Sequence, residues 1–200
     1  MLLPAAWGSL KRIQTKYIER DIAEIDMDCL TKTAKVPIAE IVTGRLPASE
    51  IHGRLSGGES ISFLSSGPDE TFFLGHLFGG YGQPGEVYTL TGDLGTGKTL
   101  FTQGFAAGLG ITEPVNSPTF TILQTYESGR LPFYHFDVYR IGDVEEMEEV
   151  GWEDCIYGGG ICIVEWAELI QDVLPEGRFH ILIEKDLELG FDHRRITIHL

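Results

Sequence analysis

The sequence has few basic residues, few cysteines and no long apolar run. Lys and Arg together number 15 against 30 Asp and Glu, so the formal net charge is −15. The imbalance lies in residues 59–200, which carry 7 basic and 23 acidic side chains, whereas residues 1–58 carry 8 and 7. Because so acidic a body repels a polyanion at long range, we expect no autonomous binding of nucleic acid.

The three cysteines, Cys29, Cys155 and Cys162, are odd in number and show no C-x-x-C spacing. This usage predicts reduced, mostly buried thiols and a cytoplasmic location. No apolar run approaches the roughly 18 residues of a membrane span, so no membrane contact is expected. The short apolar patch at residues 2–7 has no basic residue before it, unlike a secretory signal peptide.

A glycine-rich loop is the strongest feature that the sequence does contain. Residues 92–99 read GDLGTGKT and match the phosphate-loop pattern G-x-x-x-x-G-K-[ST] at every fixed position. A β-prone run precedes the loop, and a run with helical spacing follows it. Strand, loop and helix N-terminus direct backbone N–H groups at phosphates, so we predict a nucleoside triphosphate site. The predicted loop residues are Gly92, Asp93, Leu94, Gly95, Thr96, Gly97, Lys98 and Thr99.

The loop pattern assigns roles to particular side chains. Lys98 is expected to reach the β- and γ-phosphates, and the Thr99 hydroxyl to ligate Mg²⁺. The metal also needs a carboxylate at the end of an apolar strand, and Asp137 and Glu165 both follow such runs. Glu165 follows the cleaner run, although either carboxylate is alternatively a solvated strand end.

Three other features leave alternatives open. Residues 117–120 (SPTF) suit a switch segment near the γ-phosphate, but a plain turn is at least as good an interpretation. His135 lies among aromatic residues and is interpreted as structural rather than as a base. The acidic cluster at residues 143–154 is either a docking face for a basic partner or a solvated helix face.

From residue 60 onward the pattern is α/β. We expect strands at 61–64, 86–90, 119–126, 131–139 and 161–164, and helices at 69–78, 98–109 and 143–150. Residues 178–183 and 194–200 alternate apolar and polar side chains, which we interpret as sheet edges. Residues 1–58 form an N-terminal extension of unknown role, with a possible helix at 10–30 and a linker at 55–59. It is a docking arm, a disordered leader or the product of an upstream start codon.

Four motifs in order resemble the TsaE family over about residues 60–200. They are GDLGTGKT at 92–99, SPTF at 117–120, HFDVYR at 135–140 and VEW at 164–166. The resemblance implies a small cytoplasmic P-loop ATPase, with a three-layer fold in which a mixed, mainly parallel sheet lies between helices. It further implies hydrolysis of ATP with Mg²⁺ in the biosynthesis of threonylcarbamoyladenosine, at position 37 of tRNAs that read ANN codons. The family acts with the TsaB–TsaD pair, is not the transferase, and meets tRNA only indirectly through that complex.

The resemblance also carries residue roles onto this chain. Lys98 and the loop amides would hold the phosphates, Thr99 and Glu165 would ligate Mg²⁺, and Asp137 would be needed for hydrolysis. Ala167 departs from the family pattern, in which proline often follows the Glu-Trp pair. The residues expected near the nucleotide are Thr119, in the switch-like segment, Trp166, and Thr71, close to the adenine.

Two other functions are compatible with the loop. A P-loop kinase of a nucleoside or small metabolite would need arginines that clamp the transferred phosphoryl group, and a lid over the acceptor. No clustered lid motif follows the loop. A non-enzymatic nucleotide sensor is disfavoured by the presence of two candidate carboxylates. The arginines after Lys98 are Arg130, Arg140, Arg178, Arg194 and Arg195.

Overall fold

The structure is a computed structural model that describes residues 34–38, 41 and 48–200. The predicted helix at 10–30 and Cys29 lie outside these residues. No helix in the described part is long and apolar enough to cross a bilayer. The strands are β1 Ala34–Pro37, β2 Ile61–Ser65, β3 Val87–Thr91, β4 Leu123–Tyr126, β5 Phe133–Asp137, β6 Ile161–Glu165, β7 Phe179–Lys185 and β8 Arg194–His199. The helices are α1 Ala48–Ser56, α2 Pro68–Tyr81, α3 Lys98–Gly108, α4 Glu146–Glu149 and α5 Trp152–Tyr157, with a 3₁₀ segment at Ala167–Val173.

The strands form one sheet in the order β1-β2-β8-β7-β3-β6-β5-β4. The pairs β1–β2, β7–β3, β3–β6 and β6–β5 are parallel, and the other three are antiparallel. This confirms the predicted mixed, mainly parallel sheet. The edge position predicted for β7 and β8 is wrong, because both lie inside the sheet. Their alternating pattern reflects the unequal burial of their two faces instead.

Helices cover both faces of the sheet, which confirms the three-layer architecture. In β6, Ile161 and Ile163 belong to the core that includes buried residues of α2 and α3. Cys162 and Val164, which point to the opposite face, pack in a second core with Trp152 of α5. This alternation places the last residue of β6 on the same face as α3. The free thiols Cys155 and Cys162 are both buried, as predicted for them.

Part of the N-terminal extension packs against the sheet. β1 pairs with β2, and the α1 side chains Ile51 and Leu55 are buried in the same core as Phe63. The predicted linker at 55–59 is wrong at its start, because Leu55 and Ser56 form the end of α1.

Helices α2 and α3 are in backbone contact through glycines. A Cβ atom at Gly79 would lie 2.0 Å from the carbonyl oxygen of Phe105. A Cβ atom at Gly104 would lie 2.0 Å from the carbonyl oxygen of Phe72. Larger residues would therefore separate the two helices. The close packing fixes α3, whose first two residues, Lys98 and Thr99, end the glycine-rich loop.

Candidate nucleotide site

The loop at residues 92–99 joins β3 to α3, as its sequence pattern predicts. Gly92, Gly95 and Gly97 have φ angles of 131°, 73° and 109°. Residues with a Cβ rarely adopt such values. At Gly92 a Cβ would also lie 2.2 Å from the carbonyl oxygen of Ile183. The first glycine is thus required both by its conformation and by the close approach of β7.

A cavity of about 380 Å³ opens against this loop. Its volume lies within the range of small-molecule sites. The loop and the start of α3 form one wall, and residues that follow or end β5 and β6 form the other. The lining includes these predicted site residues: Leu94, Gly95, Gly97, Lys98, Thr99, Thr119, Asp137, Glu165 and Trp166.

Glu165 ends β6 as a buried carboxylate that is 2 % exposed. Its Oε2 accepts a hydrogen bond from Thr99 Oγ1 at 3.0 Å. Its Oε1 accepts from Thr102 Oγ1 at 3.2 Å and from His135 Nε2 at 2.9 Å. The alternative that Glu165 is merely a solvated strand end is therefore wrong.

The donor set at Glu165 fits a magnesium ion. Within the described residues, no three His, Cys, Asp or Glu side chains cluster in a way that would hold a metal by themselves. Magnesium is usually bound by one or two protein oxygens together with phosphate and water. The Thr99 hydroxyl and the Glu165 carboxylate meet on the cavity wall and provide two such oxygens. These two residues would hold the ion.

Asp137 ends β5 and is also buried, at 2 % exposed. Its Oδ2 accepts hydrogen bonds from the hydroxyls of Ser117 and Thr119, the latter at 2.7 Å. Its Oδ1 accepts from the backbone N–H of Tyr139 at 3.1 Å. The segment at 117–120 therefore directs its hydroxyls at a cavity carboxylate, which a plain turn would not require. Its approach to a γ-phosphate stays a prediction.

The amino group of Lys98 lies against the loop and an aromatic ring. Lys98 Nζ donates to the carbonyl oxygens of Gly92 at 2.5 Å and Asp93 at 3.1 Å. It also lies 3.5 Å from the centroid of the Trp166 ring. Burial lowers the pKa of Lys98, and nearby carboxylates, foremost Glu165, oppose this shift. A bound phosphate would favour the charged ammonium further.

Trp166 has a left-handed backbone, with φ at 64°. Such a conformation is costly for a residue with a side chain and is often found at functional sites. It holds the indole on the cavity wall, with the Tyr139 ring centroid 4.8 Å away. Both rings line the cavity, and contact of Trp166 with a nucleotide stays a prediction.

Thr71 does not line the cavity. It is buried in α2, shares a 2.9 Å hydrogen bond between its Oγ1 and Ser65 Oγ, and lies beside Gly97 of the loop. Thr71 therefore packs beside the loop, outside the cavity. Its contact with an adenine stays a prediction.

Two residues contact the site that the sequence does not assign to it. The sequence indicates a structural His135, and in the structure the side chain is fully buried with its Nε2 on Glu165. Its spacing of two residues from Asp137 puts both on one face of β5, and that was the available signal. Arg194, from the start of β8, donates from Nε to the carbonyl oxygen of Thr96 at 2.9 Å. No local pattern indicated this contact.

None of the arginines in the described residues lines the cavity. Arg130 and Arg178 donate to backbone carbonyls elsewhere, and Arg195 pairs with Asp186 at 2.8 Å. Arg140 lies over the exposed Phe120 ring.

Loop, sheet and paired carboxylates together define a P-loop NTPase-like α/β protein. The family model described as threonylcarbamoyl adenosine biosynthesis protein TsaE matches residues 65–196. The chain therefore belongs to the TsaE family.

Individual relatives agree with this assignment. The chain is 48% identical over 139 residues to the tRNA threonylcarbamoyladenosine biosynthesis protein TsaE of Bacillus subtilis, covering 70% of this chain and 85% of the relative. It is 43% identical over 135 residues to the protein of the same name from Treponema pallidum, covering 68% and 97%. The crystal structure of YdiB from B. subtilis matches with a TM-score of 0.61 and 42% identity, over 70% of this chain and 85% of that one.

Proposed function

We propose that this protein is a cytoplasmic, Mg²⁺-dependent ATPase that supports formation of threonylcarbamoyladenosine at position 37 of tRNAs reading ANN codons. The observation that carries the proposal is the 3.0 Å contact between Thr99 Oγ1 and Glu165 Oε2 on the wall of the loop cavity. A loop hydroxyl and a strand-end carboxylate are the groups that hold the metal in P-loop NTPases. Family membership indicates the pathway.

Each part of the site has a distinct task in this proposal. The loop amides and Lys98 would bind the phosphates of ATP. Thr99 and Glu165 would hold Mg²⁺, which would supply positive charge against the phosphates. Asp137 would orient the attacking water and accept its proton. The water oxygen bonds to the γ-phosphorus as the bond to the β–γ bridging oxygen breaks, and ADP leaves. Its three hydrogen bonds fix its carboxylate, which favours a single productive orientation.

The protein acts with TsaB and TsaD rather than as the transferase. The resemblance suggests this division of labour, and the charge of the chain supports it. Residues 59–200 carry 23 acidic and 7 basic side chains, a composition that disfavours direct binding of tRNA. The tRNA would therefore be held by the partner proteins, and this chain would contribute its ATP cycle.

Glu165→Gln is expected to raise the Mg²⁺ concentration needed for half-maximal ATP hydrolysis by about tenfold, because the amide loses the ligand charge. Glutamine keeps the size of the side chain and an oxygen that accepts from His135 or Thr102. The measurement is a Mg²⁺ titration of phosphate release at saturating ATP, with the TsaB–TsaD pair present.

Glu168→Gln is the matched control. Glu168 is exposed and lies three residues after Glu165. Its carboxylate also raises the pKa of Lys98, but it does not line the cavity. The Glu168→Gln variant loses the same charge but keeps both proposed ligands, so the Mg²⁺ concentration that it requires should change much less. Equal Mg²⁺ requirements in Glu165→Gln and the wild type would refute the metal assignment.

A further inference from the structure

The hairpin of β7 and β8 places two cations on the backbone of the phosphate loop. Arg194 donates from Nε to the carbonyl oxygen of Thr96 at 2.9 Å and from Nη2 to that of Gly95 at 3.5 Å. Lys185 donates from Nζ to the carbonyl oxygen of Leu94 at 3.3 Å. Three consecutive loop carbonyls therefore accept hydrogen bonds from one hairpin that lies about 90 residues further along the chain.

These carbonyl contacts determine where the loop amides point. A peptide group is planar and trans, so fixing its carbonyl oxygen also fixes the N–H of the next residue on the opposite side. The carbonyls of Leu94, Gly95 and Thr96 thus orient the N–H groups of Gly95, Thr96 and Gly97. A cation on the carbonyl also polarises the peptide, which strengthens the N–H as a donor to phosphate.

The side chain of Arg194 is itself held in place. Its Nη1 donates to the carbonyl oxygens of Phe191 at 2.7 Å and His193 at 2.8 Å. The guanidinium therefore joins the turn of the hairpin to the loop in one hydrogen-bonded unit. Glycines at positions 95 and 97 leave the loop backbone free to adopt other conformations, so an external constraint has a real effect.

We infer that Arg194 is a positioning residue for nucleotide binding, which holds the phosphate loop in the conformation whose amides face the phosphates. The inference deepens the proposed function and rests on it, because the ligand is Mg²⁺-ATP. Arg194 does not line the cavity and acts through the loop.

The test compares Arg194→Gln, Arg194→Lys and Arg195→Gln in the full chain. Isothermal titration calorimetry with Mg²⁺-ATP is expected to give about a tenfold higher Kd for Arg194→Gln, because hydrogen bonds from a charged donor are lost. Arg194→Lys, which keeps the charge, should recover part of the affinity. Arg195→Gln removes the neighbouring guanidinium, whose partner is Asp186 and not the loop, and should bind as the wild type does.

A second measurement uses no nucleotide. Amide hydrogen exchange by NMR should be faster at Thr96 and Gly97 in Arg194→Gln than in the wild type or Arg195→Gln, with little change in Tm. If ATP binding and loop exchange in Arg194→Gln equal those of the wild type, the inference is overturned. A general loss of Tm with faster exchange throughout the hairpin would also overturn it, in favour of a purely structural role. Absence of ATP binding by the wild type would instead refute the proposed function. The amide exchange rates of Thr96 and Gly97 would still test whether Arg194 holds the loop.

Discussion

Lys98→Ala is expected to weaken the binding of Mg²⁺-ATP by more than about a hundredfold, because hydrogen bonds from a charged donor to phosphate are lost. Lys98 is the one Lys or Arg of the described residues that lines the cavity, so no other side-chain cation there replaces it. Its Nζ already lies on the loop, 2.5 Å from the Gly92 carbonyl oxygen. Isothermal titration calorimetry against wild-type protein measures the change.

The control for this variant is its thermal stability. Lys98 is buried near Glu165 and Asp137, so removing the ammonium takes a positive charge away from two buried carboxylates. A circular-dichroism melt establishes that the protein is folded at the temperature of the titration. Folded Lys98→Ala that binds Mg²⁺-ATP within threefold of the wild-type affinity would contradict the assignment.

Asp137→Asn is expected to leave ATP binding nearly intact and to lower kcat by about 10²- to 10⁴-fold, the typical contribution of a general base. Asparagine preserves the shape of the side chain, and its oxygen still accepts from the backbone N–H of Tyr139. Its amide donates to the hydroxyls of Ser117 and Thr119, which then act as acceptors. The variant therefore removes the charge while the local packing is kept. Phosphate release with the TsaB–TsaD pair measures kcat.

Asp154→Asn provides the comparison for a lost aspartate charge. Asp154 is exposed on α5 and does not line the cavity, so the Asp154→Asn variant should hydrolyse ATP at the wild-type rate. If Asp137→Asn hydrolyses ATP at the wild-type rate, Asp137 only fixes the switch-like segment. If it loses binding and hydrolysis equally, the separation of binding from chemistry proposed for Lys98 and Asp137 is wrong.

The parts of the site that follow a local pattern were predictable from the sequence. The glycine loop, the strand before it and the helix after it are encoded in one continuous stretch, as are the apolar runs that end in Asp137 and Glu165. Because β5 and β6 are parallel, their carboxyl ends lie side by side, and Asp137 and Glu165 are paired in register. The mixed sheet between helices followed from the resemblance.

The remaining features depend on contacts between distant residues. The bond from Arg194 to the loop spans 98 residues, and the contact of His135 with Glu165 spans 30. Neither spacing is a local signal. The alternation in β7 and β8 indicates that the two faces of each strand are unequally buried. It does not indicate where the strands lie in the sheet order. Leu55 is buried in the core, but the glycines that follow it favour the interpretation of residues 55–59 as a linker.

The central claim is tested most directly by mass spectrometry of nucleosides from total tRNA, after the protein is depleted in its host. The account predicts that threonylcarbamoyladenosine falls and that the wild-type chain restores it, whereas Lys98→Ala does not. An unchanged nucleoside profile after depletion would contradict a role in this modification. Full restoration by Lys98→Ala would contradict the need for its nucleotide site.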